Sequence, residues 1–499
     1  MLYPFLIEHL LLPTVGFLTA SKFWRLAGQM HRLERLPLEH LSRLEWQSLQ
    51  ALLSSAYESV PFYRERFDAA GIRPQDLRDL DDLPRLPPVT RQELAANFPD
   101  RVTPAGADQT GWRFAATSGT TSQRLIVLQD FAKRDAIRAA AAHSFKFCGL
   151  PLGSRYVELP PDVCNVHCGL NREAEPPLLR YLWTAGRRSW QDPQFRSDLR
   201  GLFERQVVYR QLVLPAFSSG GTNQPAPVVS DYLQRIRAHR PLLLKGLPAY
   251  LLILARHLQR NSLKPPRLRE VRPMGSALAP AARRFIADAF RCPVVEDFGS
   301  AELGSIGCEC RAADGLHLFP GLFFIEFVRN GRPVRPGELG RMLVTDLTNR
   351  AMPLIRYDLG DIGYALPGNC SCGRNTPRFR VLGRLQDTLV TPSGGVLTEH
   401  QVSDFLYTYP GVDWFQLVQQ SATHFDLQVV PDGRTPVSAE RLAAGLTNLL
   451  GGRVRIAVRQ VKAIAPEGGG KYRFVKSKSY AQFDAPLAPS PKAPALSEN

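Results

Sequence analysis

From Arg113 to Gly383 the chain alternates short apolar runs with helical patterns, and that alternation leaves few architectures open. Leu125–Leu128 (LIVL), Pro241–Gly246 (PLLLKG) and Pro293–Gly299 (PVVEDFG) have the length of buried strands, and a helical pattern around Tyr250–Leu258 separates the last two. Strands apolar on both faces must be covered on both faces, so the pattern specifies an α/β body of sheets covered by helices. Upstream, Leu41, Leu44, Leu49, Leu52, Leu53 and Ala56 recur at helical spacing. That helix should stop just before Pro61, because proline disfavours the helical conformation of the residue ahead of it. Asp79–Pro88, acidic and then proline-rich, reads as a connecting loop.

After Gly383 the texture changes. Phe415–Gln420 (FQLVQQ) and Phe425–Val430 (FDLQVV) read as adjacent strands, Ser438 can cap a helix carrying Leu442, Leu446, Leu449 and Leu450, and Val454, Ile456 and Val458 alternate as a further strand. The expected class is α/β and α+β multidomain. It comprises an N-terminal helical segment (1–40), a large domain of helix-covered sheets (41–383), a small α+β module (384–482) and a Pro/Ala-rich disordered tail (483–499).

The 499 residues carry 62 Lys and Arg against 46 Asp and Glu, a formal charge of +16. That surplus serves solubility or faces polyphosphate substrates, an anionic membrane surface or nucleic acid. The basic residues are scattered, and no helix-turn-helix, zinc-finger or RNA-recognition pattern stands out, so nucleic acid is not expected as a partner. Eight cysteines are too few for a disulfide scaffold and point to a reducing, cytoplasmic setting. Met1–Ala20 is apolar but lacks the basic start of a signal peptide, and Pro4, Glu8, His9 and Pro13 make it a poor membrane span. With Lys22, Arg25, Arg32 and Arg35 behind it, the segment reads either as an interfacial helix peripheral to a membrane or as a helix packed on the body.

Chemistry enters with Ala116–Leu125 (ATSGTTSQRL). Small hydroxylated residues around one glycine, just before an apolar run, can turn backbone N–H groups inward to cradle phosphate oxygens, and Thr117, Ser118, Thr120 and Thr121 add donors. No GK[ST] follows, so it is not a Walker loop, and a Ser/Thr-rich surface turn is the plainer reading. Four further motifs follow in order. Asp297–Gly304 (DFGSAELG) puts Glu302 past a glycine turn, where a carboxylate can hold magnesium on phosphates. Tyr357–Gly363 (YDLGDIG) places Asp361 after a tight turn, where it can accept both ribose hydroxyls. Gly383–Asp387 (GRLQD) begins the small module, and Gly468–Phe474 (GGGKYRF) carries Lys471 on a glycine-rich strip from which it can neutralise charge as pyrophosphate leaves. Singly, Glu302 could be a surface acid, Asp361 a turn cap and Lys471 one basic residue among many; their order together carries the weight.

That order resembles the adenylate-forming superfamily, within it the phenylacetate–coenzyme A ligase group, and most of all its capsular-polysaccharide-biosynthesis (CapK-like) branch. The likeness runs from about Leu41 to Lys478 and includes Val60–Phe67 (VPFYRERF), Leu86–Leu94 (LPPVTRQEL), Leu242–Ala255 and Met352–Asp361 (MPLIRYDLGD). It implies a large adenylate-forming domain with a mobile C-terminal lid, and an enzyme using ATP, Mg²⁺ and coenzyme A to activate a carboxylic acid as an acyl-adenylate and pass it to a thiol. By the same resemblance Thr117, Ser118, Gly119, Thr120 and Thr121 form the phosphate loop. Gly275, Ser276, Ala277 and Leu278 flank the adenine with Asp297, Phe298, Gly299 and Ser300. Glu302 binds magnesium, Asp361 and Arg384 hold the ribose, and Lys471 is the adenylation lysine, with Lys471, Glu302 and Thr120 catalytic. Two departures stand out: Ser122-Gln123-Arg124 replaces the usual Gly-x-Pro, and at the hinge Gln386 precedes Asp387 where the group has two acids.

Gly307–His317 and Asn369–Gly373 bring Cys310, His317, Cys370 and Cys372 into reach of one another in such a fold, a set that suits tetrahedral structural zinc, with Cys308 as an alternative ligand. Cys164–Cys168 (CNVHC) is a weaker metal candidate. The acid is not legible; pocket walls are expected near Tyr250 and Trp112–Ala116. An acceptor other than coenzyme A (a carrier-protein thiol, an amine or a sugar hydroxyl) stays open, as does a non-enzymatic, membrane-associated scaffold, against which Glu302, Asp361, Arg384 and Lys471 speak.

Overall fold

A computed structural model describes residues 2–14, 21–116, 125–160, 178–184, 199, 201–217, 221–467 and 471–479. The chain begins with helices α1 (Leu2–Leu6, continued by a π-helical turn at Ile7–Leu11), α2 (Phe23–Leu33), α3 (Leu38–Ser59), α4 (Pro61–Ala69) and α5 (Arg91–Ala96). α3 buries Leu41, Leu49, Leu52, Leu53 and Ala56 and ends at Ser59; Pro61 then opens α4 at a position where its missing N–H has no helical partner to lose. Leu44, counted above in the apolar stripe, lies exposed. The Asp79–Pro88 connection holds one 3₁₀ turn, Leu80–Arg85, capped by Asp79. The first helix packs on the body through Ile7 and Leu12, the Tyr3 hydroxyl donates to the Val207 carbonyl, and Glu8 pairs with Lys146 at 2.8 Å. Its other face leaves Phe5, Leu6 and Leu10 exposed. No described helix is long and apolar enough to cross a membrane.

β1 (Arg113–Ala116) and β2 (Ile126–Gln129) form an antiparallel hairpin, followed by α6 (Phe131–Phe147), whose N-terminus is capped by Asp130. β3 (Tyr156–Leu159), β4 (Gln211–Val213), β5 (Leu243–Gly246) and β6 (Glu270–Pro273) make a parallel sheet in the order β4-β3-β5-β6. α7 (Leu178–Thr184), α8 (Ala226–His239) and α9 (Pro248–Arg260) lie along the connections, and α9 supplies the β5–β6 crossover. Val157, Leu159, Leu243, Leu244 and Val271 are inaccessible to solvent, as covered strands require.

α10 (Pro280–Phe290) leads to a second, eight-stranded sheet. It contains β7 (Asp297–Ser300), β8 (Gly304–Glu309), β9 (Leu316–Leu318), β10 (Phe323–Arg329), β11 (Arg332–Pro333), β12 (Gly340–Asp346), β13 (Tyr357–Leu366) and β14 (Arg378–Arg384), in the order β11-β10-β12-β13-β14-β9-β8-β7, and it is antiparallel throughout. The run Pro293–Gly299, read as one strand from sequence, serves both sheets. Val294 bridges Val271 in parallel fashion, and only from Asp297 does the chain pair with β8.

The C-terminal module contains β15 (Leu389–Val390), β16 (Val396–Leu397), α11 (Glu399–Thr408), β17 (Val412–Ser421), β18 (His424–Pro431), α12 (Ala439–Leu450), β19 (Arg455–Gln460) and β20 (Val475–Ser477). Its main sheet runs β19-β18-β17-β20. FQLVQQ and FDLQVV pair directly, Leu417 opposite Leu427, and the Ser438 hydroxyl accepts from the Arg441 N–H at the start of α12. Its apolar residues join those of the parallel sheet and α8–α10 in one core, while the eight-stranded sheet shares the other with the N-terminal helices and α6. The molecule is thus a large α/β domain with a small C-terminal sheet domain seated on its parallel-sheet side.

Candidate functional site

Thr117, Ser118, Gly119, Thr120 and Thr121, with Ser122, Gln123 and Arg124, lie outside the described residues, as does Cys164–Cys168. The described flanks fix where the hydroxyl-rich loop must leave and return: Ala116 of β1 pairs with Ile126 of β2, so its two ends meet at one hairpin.

β2 and α6 also hold the turn that carries Glu302. Gln129 Nε2 donates to the Glu302 carbonyl at 3.2 Å, and Lys133 Nζ donates to the Leu303 carbonyl at 2.8 Å while paired, fully buried, with Asp346 at 2.7 Å. The β7–β8 turn requires glycine: a Cβ on Gly299 would lie 2.3 Å from the Gly304 carbonyl oxygen. Glu302 is 3% exposed, and its Oε1 accepts from Arg91 Nη2 and from the Tyr357 hydroxyl, both at 3.2 Å. Two donors thus hold one oxygen of a buried carboxylate beside the hairpin, where an acid can take part in binding a cation. Sequence reading missed both donors, although Arg91 and Tyr357 stand inside motifs it singled out; side-chain direction across two elements leaves no trace in spacing.

Asp361 of β13 sits opposite Arg384 of β14, with Arg384 Nε 3.3 Å from Oδ1 and Nη1 donating to the Leu359 carbonyl at 3.1 Å. Burial raises the Asp361 pKa, Arg384 and Lys471 pull it down, and the charge of Glu302 pushes it up. Those opposing influences place Glu302, Asp361, Arg384 and Lys471 in one electrostatic neighbourhood. Lys471 also lies against Gly275: a Cβ built there would be 4.0 Å from Nζ, and the backbone φ of +79° independently favours glycine. Ser276 is exposed, Leu278 is buried, and Ala277 lies near Gly383, just ahead of Arg384. The Gly275–Leu278 turn, the β13–β14 pair and Lys471 therefore meet.

Asp297 is turned elsewhere. Its carboxylate pairs with Lys245 Nζ at 2.8 Å and accepts from the Ser305 hydroxyl. Burial opposes its ionisation, but Lys245 and Arg272 hold its pKa below the usual range. Phe298 packs edge-on against Phe379, and the Ser300 hydroxyl accepts from the Leu303 N–H. At the hinge, Asp387 is buried and accepts from Arg473 Nε at 2.8 Å, which ties GRLQD to the strip bearing Lys471. The Glu467 N–H donates to the Lys471 carbonyl at 2.8 Å, closing that strip around Gly468–Gly470, which lie outside the described residues.

Cys310 after β8, His317 of β9, and Cys370 and Cys372 between β13 and β14 present ligand atoms all within 4.8 Å of one another. Cys310 and Cys370 sulfurs are 3.5 Å apart, and Cys372 Sγ is 3.6 Å from His317 Nε2. Thiolates at ~2.3 Å from a tetrahedral zinc stand roughly 3.8 Å from each other, so the set fits the ion closely. His317 Nδ1 faces the Thr376 hydroxyl at 3.0 Å, which orients Nε2 toward the sulfurs. Desolvation, with Arg374 and Arg378, pushes its pKa down to about 4, so the ring is neutral as a ligand must be. Cys308 stands apart from the four, 3.7 Å from Cys148 Sγ.

Residues 389–478 match the CapK C-terminal domain family. The chain is 28% identical to phenylacetate–coenzyme A ligase of Thermus thermophilus over 72% of its length and 73% of that protein's, and 28% identical to the Escherichia coli phenylacetate–coenzyme A ligase, covering 79% and 82%. Protein CapK of Staphylococcus aureus is 23% identical over 53% of this chain and 58% of its own. Among solved structures, 2-hydroxyisobutyryl-CoA ligase in its postadenylation state with an acyl-AMP superposes with a TM-score of 0.69 at 20% identity, covering 90% and 92% of the two chains. The same ligase in its thioesterification state, with CoA, gives 0.56 at 21% identity, covering 89% and 91%. By the order of its motifs, its two-part fold and these relatives, the chain is similar to the adenylate-forming superfamily, within it to the phenylacetate–coenzyme A ligase group, and in its C-terminal domain to the CapK family.

Proposed function

We propose that the protein is an ATP-dependent, AMP-forming acid–thiol ligase that activates a carboxylic acid as its acyl-adenylate and transfers the acyl group to coenzyme A. One observation carries this reading: Glu302, the Asp361–Arg384 pair and Lys471 share a single space beside the hairpin that closes the hydroxyl-rich loop. A carboxylate oxygen attacks the α-phosphorus of ATP, the α–β anhydride bond breaks, and pyrophosphate departs with the bonding pair. A thiolate then attacks the mixed anhydride carbonyl and AMP departs.

The residues divide that work. Asp361, ionised, accepts the ribose hydroxyls while Arg384 keeps it oriented and charged. Lys471 puts a cation where negative charge develops between the α- and β-phosphates, and its glycine-flanked strip lets it withdraw before the second step. Thr117–Thr121 cradle the phosphates, with Thr120 as the catalytic hydroxyl. Glu302, one of whose oxygens Arg91 and Tyr357 fix, would hold magnesium, which would neutralise phosphate charge when bound. Gly275–Ala277 and Phe298–Ser300 border the adenine pocket, and Asp297 adds only its backbone because its carboxylate is taken by Lys245 and Ser305. Residues 41–383 act as the large domain and 384–482 as its lid.

Cys310, His317, Cys370 and Cys372 would hold zinc as a structural ion, because four protein ligands would complete a tetrahedral site. The protein works in the cytoplasm, and the exposed Phe5, Leu6 and Leu10 face supports peripheral contact with a membrane surface. The CapK C-terminal match favours one second reading, in which the adenylate passes to a carrier-protein thiol, an amine or a sugar hydroxyl.

ATP–pyrophosphate exchange driven by a panel of aryl and aliphatic acids, phenylacetic acid among them, tests the central claim. Acid-dependent exchange is expected, and its absence from folded protein across the panel sinks the ligase reading. Adding coenzyme A, a carrier protein or amines to the active mixture identifies the acceptor.

A further inference from the structure

The lid meets the large domain through contacts remote from Lys471. Thr222 and Ile464 exchange two hydrogen bonds, at 2.9 and 3.0 Å, and Asp404 of α11 accepts from the Ala281 N–H in the first turn of α10. Arg284 lies 3.7 Å from the same Asp404 carboxylate, and the more buried charged contact is at Asp413, the second residue of β17. Its Oδ1 is 2.6 Å from Arg256 Nε and its Oδ2 is 2.7 Å from Arg260 Nη2, one helical turn apart on α9. Arg256 also donates to the Asp413 carbonyl and lies 3.8 Å over the ring of Trp414.

Arg256 and Asp413 are both about nine-tenths buried. Among the described residues, neither arginine has a carboxylate within 4.0 Å other than Asp413. The bridge therefore exists only while the lid sits in this orientation; turning the lid strands two cations on one side and an anion on the other. Cavities of about 490 and 400 Å³ flank it, both lined by Arg260, Asp413 and Asp432, so water is at hand to take up the charges when the bridge opens.

We propose that Asp413 is a positioning residue for the adenylating half-reaction: by bridging Arg256 and Arg260 it latches the lid in the orientation that presents Lys471 to Asp361 and Gly275. The inference rests on the ligase reading. It predicts a trade between half-reactions, because a weaker latch depopulates the adenylating arrangement and frees the lid to leave it.

The test uses full-length protein whose wild type shows acid-dependent exchange, which secures the ligase reading first. In Asp413→Asn, exchange falls by about tenfold, while thioester formation from supplied acyl-adenylate is unchanged or faster. Arg260→Gln, at a half-exposed side chain that the fold does not need, shows the same split at roughly threefold, and Asp413→Glu recovers part of the loss. An equal fall in both half-reactions, or no change in either, overturns the latch. If Asp413→Asn does not fold, Arg260→Gln decides alone. Hydrogen–deuterium exchange on ligand-free protein reads the latch without activity. Peptides from α9 and from β17 should exchange faster in Arg260→Gln than in wild type, and unchanged exchange there refutes the latch even in a protein that ignores ATP.

Discussion

Asp361 and Arg384 are cross-strand partners on β13 and β14, 3.3 Å apart, and Arg384 opposes the rise that burial causes in the Asp361 pKa. Removing Arg384 therefore raises the Asp361 pKa further. Since the ionised form grips the ribose, Arg384→Gln should move the acidic limb of the exchange-rate profile to higher pH and raise the KM for ATP by on the order of tenfold. Asp361→Asn should raise that KM at least as much and flatten the limb. A pH profile of exchange for the three proteins checks both.

Lys471 approaches Gly275 and Asp361 only through the lid. Lys471→Ala should slow adenylation by about 10²-fold or more while leaving thioester formation from preformed adenylate within a few-fold. Single-turnover assays of each half-reaction measure this, and equal losses would remove the lysine from its proposed role.

The Cys310–His317–Cys370–Cys372 set links the β8–β9 connection to the β13–β14 connection. Elemental analysis should find one zinc per chain. Cys370→Ser should lose it and lower the Tm by several degrees with exchange activity reduced in proportion to folded protein, as expected of a structural ion.

Glu399 gives a pH signature. Desolvation, reinforced by the nearby charge of Asp387 and eased by Arg473, pushes its pKa up to about 8. A folded-state pKa raised above the unfolded one contributes stability that is present below the unfolded value, near 4.5, and is lost as pH rises through about 8. Glu399→Gln removes that dependence. Its Tm should exceed that of wild type by a few degrees at pH 8.5, with the difference closing toward pH 5 in a thermal-melt series.

Phe5 and Leu10 are 60% and 57% exposed on a helix whose opposite face is anchored by Ile7 and Leu12. Phe5→Ser/Leu10→Ser should leave the Tm unchanged and lower co-sedimentation with anionic phosphatidylserine vesicles about tenfold. Equal sedimentation of the variant and wild type would place membrane contact elsewhere or nowhere.

Much of the architecture was legible because it follows from local rules. The α3 stop before Pro61, the Ser438 cap, the β17–β18 pair and the burial of β5 all rest on periodicity and on residues acting within a few positions of themselves. Glu302, Asp361 and Lys471 stood out for the same reason, each beside a glycine turn. The antiparallel eight-stranded sheet did not, because strand pairing across it depends on partners distant in the chain, and one apolar run, Pro293–Gly299, feeds two sheets at once.

By itself the sequence determined which groups this protein can bring to a nucleotide and in what order along the chain. Only the tertiary structure decided their company: Arg91 and Tyr357 on Glu302, Lys245 on Asp297, Arg473 on Asp387, and two arginines of α9 on Asp413 of the lid. The physical reason is range. Propensity and patterning act within a turn or a hairpin, whereas the fate of a buried charge depends on whichever opposite charge packing delivers to within about 4 Å, from any distance along the chain.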